Sequence, residues 1–186
     1  MLLIFHKPYG VLSQFTREAP DHRTLAEFDF PKNVYPVGRL DWDSEGLLFL
    51  SDEKEWNDRL LHPRRAVPRT YHAQVEGTAT AEAMARLSKG MKILGQQTRP
   101  CAASLLPDPG YAARSVPVRF RLSVPTSWIE LVLTEGKNRQ VRRMTAAAGF
   151  PTLRLLRVAH GGIGLGKLKP GTWRELDSSE KKSLGA

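Results

Sequence analysis

Leu47 and Phe49 alternate with Leu48 and Leu50, so residues 47–50 form a strand that is apolar on both of its faces. Such a strand has to be covered from both sides, and the rest of the chain must be arranged to supply that cover. The residues ahead of it are of another kind. Gly38-Arg39-Leu40-Asp41-Trp42-Asp43-Ser44-Glu45-Gly46 brings a basic residue, acids and turn glycines up to the strand. Asp41 is thereby placed on a loop held by a rigid, buried element. Spacing alone also admits a plain turn aspartate with Arg39 as its surface ion partner.

Period-two alternation recurs elsewhere and predicts further half-buried strands. Leu2 to Phe5 form the first, closed by Pro8. Tyr71, Ala73 and Val75 share one face of another. Val116, Val118, Phe120, Leu122 and Val124 share a face of a strand over 116–124, and Ile129, Leu131 and Leu133 form its returning hairpin arm after a turn at 125–127. The expected helices are short. Asp52-x-x-Glu55 has the form of a capping box ahead of Trp56 and Leu60, with Pro63 beyond the end. Thr80 caps a second helix carrying Met84 and Leu87 and closed by Gly90. A third, over 138–148, buries Val141, Met144, Thr145 and Ala148, stops at Gly149, and gathers Arg139, Arg142 and Arg143 on a neighbouring face. Residues 100–115 read as a surface loop, and the polar tail from Asp177 to Ala186 is expected to fray.

A chain of 186 residues is long enough to bury a continuous core. It fits one domain, 1–186, with two lobes of about 1–65 and 66–186. With 41% hydrophobic and 25% charged residues it has the balance of a globular protein, and no apolar run approaches bilayer length. The first residues lack a basic leader and a cleavage site, which predicts a cytoplasmic protein, expected to be a monomer. One cysteine, Cys101, excludes an internal disulfide, and its apolar neighbours make it a small hydrophobe. His6, His22, His62, His72 and His160 have no metal-ligand spacing, so no metal is expected. The net charge of +9 and pI near 10.0 point to a polyanionic partner, most economically a nucleic acid.

Gly38-Arg39-Leu40-Asp41 followed by Ser44-Glu45-Gly46-Leu47-Leu48 resembles the aspartate motif of the RsuA-type pseudouridine synthases, whose catalytic aspartate falls on Asp41. Lys7-Pro8-Tyr9-Gly10 resembles that family's opening motif, and Arg69-Thr70-Tyr71 its basic-x-Tyr motif. Residues 135–144, Glu-Gly-Lys-Asn-Arg-Gln-Val-Arg-Arg-Met, resemble the third motif, and Leu153 to Arg157 the strand that follows it.

The resemblance implies an α+β pseudouridine synthase fold: a mixed, largely antiparallel sheet flanked by short helices, with a central RNA-binding cleft. It implies a catalytic domain without the family's usual separate N-terminal RNA-binding domain, because the first strand begins at Met1. Ser51-Asp52-Glu53-Lys54 departs from the family's usual Thr-Asn-Asp-Gly and alters the helix cap. Asp41 would be the nucleophile or base that lets uracil leave C1′, rotate and rejoin through C5, a reaction that needs no cofactor. Tyr71 would stack on the everted base. Arg142, with Arg143 and Arg139 as the next candidates, would keep the carboxylate ionised. Leu155, or Leu153 in the other register, would supply apolar pocket wall. Arg39 either pairs with Asp41 or fills the gap left by the base. The implied partner is ribosomal RNA, of the large subunit (23S). Two other classes stand beside this one. The first is a non-catalytic RNA-binding or ribosome-assembly module on the same fold, against which the joint presence of Asp41, Tyr71 and Arg142 argues. The second is a hydrolase pairing Asp41 with Asp43 or Glu45, for which nothing in the sequence sets the required separation.

Overall fold

The computed structural model describes residues 1–118, 121 and 123–185. They group into two compact units, one of Met1–Val67 with Arg157–Ala186 and one of Pro68–Leu156.

The first unit opens with strand β1 (Leu2–Lys7), followed by the short β2 (Val11–Leu12) and β3 (Arg23–Thr24), then β4 (Tyr35–Val37), β5 (Glu45–Ser51) and helix α1 (Glu55–Leu61). The chain returns to this unit in the last residues of β11 (Thr152–His160), then forms β12 (Ile163–Gly164), β13 (Trp173–Glu175) and α4 (Ser178–Ser183). The sheet order is β13–β1–β5, with β4 also on β5, and these pairs are antiparallel.

Every residue of β1 and β5 is buried, as the apolar pattern requires. Leu2, Ile4, Leu47 and Phe49 face a cluster closed by Trp56 and Leu60 of α1 and by Ile163 and Leu176. Leu3, Phe5, Leu48 and Leu50 face the opposite one, with Val11, Leu25, Val34 and Leu40. Covering each of these side chains on its own side stabilises the fold by roughly 1.5–3 kcal/mol per residue.

The second unit holds β6 (Arg69–Glu76), α2 (Ala81–Ser88), β7 (Lys92–Ile93), β8 (Gln96–Gln97), β9 (Ala102–Leu106), β10 (Thr126–Leu133) and α3 (Gln140–Ala147). Its sheet runs β6–β10–β9, antiparallel throughout. One face is apolar: Ala73, Val75, Ile129, Leu131 and Leu133 meet Ala83, Met84 and Leu87 of α2, Val141 and Met144 of α3, and Leu155. Thr80 caps α2 by accepting from Ala83 N at 3.2 Å. Short helices on largely antiparallel strands make the α+β architecture expected.

Five local expectations are corrected. Residues 116–118, 121, 123 and 124 are not in a strand, and Arg119, Phe120 and Leu122 of that expected segment lie outside the described residues. The expected returning arm does exist as β10, but it pairs with β6 and β9. Residues 102–106, expected in a loop, form β9; an edge strand with Ala102, Ser104 and Leu105 exposed carries no apolar alternation to reveal it. No capping box opens α1, whose N-cap is Lys54. Asp52 and Glu53 instead bind the terminal ammonium of Met1, Asp52 at 2.6 Å, and Glu53 also accepts from Trp56 Nε1 at 3.1 Å. The tail does not fray throughout: α4 is opened by a capping box between Asp177 and Glu180, and Arg174–Glu180 and Lys181–Glu175 pairs hold it.

Candidate active site

Asp41 lies in the loop between β4 and β5, and the backbone on both sides of it is fixed within the first unit. Leu40, 6% exposed, plugs into the cluster beneath β1 and β5. Ser13 Oγ donates to the Leu40 carbonyl at 2.8 Å and accepts from Leu40 N at 3.1 Å. On the other side Gly10 N donates to the Trp42 carbonyl at 2.9 Å, and the rings of Tyr9 and Trp42 lie 5.1 Å apart. Ser44 N closes the turn onto the Asp41 carbonyl at 3.0 Å. The backbone that carries the Asp41 side chain is therefore fixed from both sides.

Beneath the loop sits Lys7, fully buried at the end of β1. Its Nζ donates to the carbonyls of Pro8 at 3.0 Å and Val11 at 2.7 Å, tying down the turn that carries Tyr9 and Gly10. Its pKa is lowered from 10.5 to about 7: burial is the main cause and Arg157 adds to it, while Glu45, Asp43 and Asp41 pull the other way. Gly46, next to the buried Glu45, has φ +106°, and a Cβ there would stand 2.2 Å from the Arg157 carbonyl oxygen. Arg157 itself is buried and donates from Nε to the Leu47 carbonyl at 2.8 Å. Lys7 and Arg157 were legible only as motif members. A lone lysine at the end of an apolar strand is the signal that could have found the first. Ser13 has no local signature at all.

Arg39 shares the loop with Asp41 and is exposed, with Nη2 3.4 Å from Gln14 Oε1. The other residues singled out from the sequence belong to the second unit. Tyr71 lies half-buried on β6, paired with Leu131, and packs against the core. Leu155 is inside that core at 5% exposure, and Leu153 is half-buried. The three arginines gather on α3. Arg142 Nη1 donates to the Thr152 carbonyl at 3.3 Å, and Arg143 Nη2 to Asn138 Oδ1 at 3.1 Å. Arg139, exposed with φ +49°, is the N-cap, and its carbonyl accepts from Arg143 N at 3.0 Å. The loop leading into α3 is braced by Gln140, which donates to Glu135 Oε1 at 2.7 Å and accepts from Lys137 N at 2.9 Å. The helix therefore starts from a fixed point.

Among the described residues no group of three or more His, Cys, Asp or Glu side chains could hold a metal ion, and no helix is long and apolar enough to cross a membrane.

Residues 1–147 match the family described as RNA pseudouridylate synthase. Ribosomal large subunit pseudouridine synthase E of Xanthomonas campestris pv. campestris is 50% identical over 186 residues, covering 96% of this chain and 96% of its own. The enzyme of the same name from Vibrio vulnificus is 45% identical over 175 residues, covering 94% of this chain and 74% of its own. Among solved structures, a crystal structure of a pseudouridylate synthase superposes with a TM-score of 0.81 at 26% identity, covering 98% of this chain and 73% of that one.

Proposed function

The chain belongs to the family of RNA pseudouridylate synthases, and on that premise we propose that it isomerises a uridine of large-subunit (23S) ribosomal RNA, with Asp41 as its catalytic carboxylate. The observation that carries the assignment of Asp41 is the fixing of its loop, from Ser13 on one side and Gly10 on the other. The choice of RNA follows relatives at 50% and 45% identity that are large-subunit enzymes, and the net charge of +9 suits a polyanionic substrate.

In the reaction the bond from C1′ to N1 breaks and a bond from C1′ to C5 forms. The C5 proton is lost to solvent and N1 ends protonated, so atoms and electrons balance without a cofactor. Asp41 acts on the ribose or base as nucleophile or base. Tyr71 stacks on the everted uracil, Arg142 holds the carboxylate ionised, and Leu153 or Leu155 lines the pocket. Arg139 and Arg143 take backbone phosphates, and Arg39 serves the space vacated by the base. The enzyme works as a monomer in the cytoplasm, where ribosomal RNA is processed.

Release of tritium from C5-labelled uridine in a 23S transcript tests this reading. Asp41→Asn and Asp41→Ala are expected to abolish release while RNA affinity and thermal melting are retained. Full turnover by either variant would show the assignment of Asp41 to be wrong. RNA binding by the wild-type chain with no release from any ribosomal transcript would leave the non-catalytic module.

A further inference from the structure

Strands β7 and β8 form a hairpin, Lys92 opposite Gln97 and Ile93 opposite Gln96, joined by Leu94 and Gly95 alone. Both turn residues have positive φ, +48° for Leu94 and +77° for Gly95, the signature of a type I′ turn. The first position of such a turn favours Asn, Asp or Gly, because other L side chains are strained there. Leucine is a poor choice on backbone grounds, and it gains nothing by burial, being 74% exposed. A strained conformation held at an exposed tip, with an apolar side chain that the fold leaves uncovered, points to a contact made outside the protein.

The base of the hairpin is rigid. Ile93 is buried in the core of its unit, Thr98 N donates to the Met91 carbonyl at 3.0 Å, and Thr98 Oγ1 accepts from Met91 N at 2.9 Å. Lys137 Nζ donates to the Gln97 carbonyl at 3.0 Å, and β7 packs against α3, the helix of Arg139, Arg142 and Arg143. The segment 88–100 contains Lys89, Lys92 and Arg99, all exposed, and no acid. Cations flanking an apolar tip match a nucleic-acid strand, whose bases offer apolar faces between phosphates, better than they match a protein surface.

We propose that the β7–β8 hairpin is an RNA-reading finger, in which Leu94 packs against an unstacked base or sugar of the substrate while Lys89 and Lys92 meet its phosphates. The inference rests on the reading of this chain as a ribosomal RNA synthase and adds an element that selects substrate outside the uridine pocket.

The test compares Leu94→Asn and Leu94→Met in the full chain, using a 23S transcript with C5-tritiated uridine for KM and kcat, the same transcript for Kd, and thermal melting. Asn suits a left-handed turn, so Leu94→Asn is expected to melt no lower than wild type. Its KM and Kd should rise about tenfold, the change expected from losing one apolar contact, with the smaller effect on kcat. Leu94→Met, which keeps an apolar tip, should recover most of the affinity. A Kd and KM for Leu94→Asn equal to wild type overturn the proposal, including the case in which the tip serves a protein partner. Should wild type release no tritium, the synthase reading fails, and the Kd comparison still decides the role of Leu94.

Discussion

Ser13 and Leu40 exchange two hydrogen bonds across 27 residues of sequence, the serine hydroxyl donating to one main-chain group of Leu40 and accepting from the other. Both partners are buried, so water cannot replace the hydroxyl if it is lost. Ser13→Ala is expected to destabilise the protein by roughly 2–4 kcal/mol in urea unfolding, one penalty for each main-chain group left unsatisfied. It should also lower kcat more than it raises KM, because the loop of Asp41 loses its anchor while the arginines of α3 are untouched.

Gly46 and Gly38 flank the same loop and both have positive φ, yet their tolerance should differ. At Gly46 a Cβ would meet main-chain atoms of Arg157 at 2.2 and 2.7 Å, which cannot yield without breaking strand β11. At Gly38 the nearest atom is a Leu61 side-chain methyl at 3.0 Å, which can move. Gly46→Ala is therefore expected to cost more than ~4 kcal/mol or to prevent soluble expression, and Gly38→Ala about 1–3 kcal/mol from backbone strain. Soluble yield and urea midpoints of the two variants check the contrast.

Lys7, whose pKa is about 7 when folded and 10.5 ordinarily, ties stability to pH. Between those two values the unfolded chain binds a proton that the folded chain does not, so stability should rise with pH across that window, by at most ~1.4 kcal/mol per pH unit from this group. Below pH 7 both states are protonated, and the fold carries the full cost of a buried ammonium, reduced by Glu45, Asp43 and Asp41. Lys7→Met should flatten the rise in unfolding free energy measured from pH 7 to 10. An unchanged slope would assign the pH dependence to other groups.

Cys101 is half-buried, with Sγ 3.4 Å from the Leu87 carbonyl, and burial first and Glu135 second push its thiol pKa up. It should react slowly with thiol reagents at neutral pH, and rapidly only after unfolding. Cys101→Ala is expected to retain turnover and to lose about 1 kcal/mol or less of stability. Fast labelling of the native protein would contradict the burial.

The positions readable from sequence were those with a local pattern. Alternating Leu47, Leu48, Phe49 and Leu50 required cover on both faces, and two separate clusters supply it. Val141, Met144, Thr145 and Ala148 announced the buried side of α3 by helical spacing, and all four are buried. Thr80 announced a cap and is one. Patterns misled where the local chemistry had a competing use: Asp52 has the form of a cap, yet the ammonium of Met1 takes it. An edge strand such as β9 buries too little to leave a period at all.

By itself, then, the sequence determined which faces had to be buried and, through motif spacing, that Asp41 stands on a turn ahead of a fully enclosed strand. Only the tertiary structure decided who holds that turn. Arg157 reaches the Leu47 carbonyl across 110 residues, Lys7 is buried close to three acids, and β10 takes β6 and β9 as its partners. The physical reason is that periodicity is a property of neighbouring residues, whereas a hydrogen-bond partner distant in sequence is chosen by how the chain closes on itself, and that choice leaves no local mark.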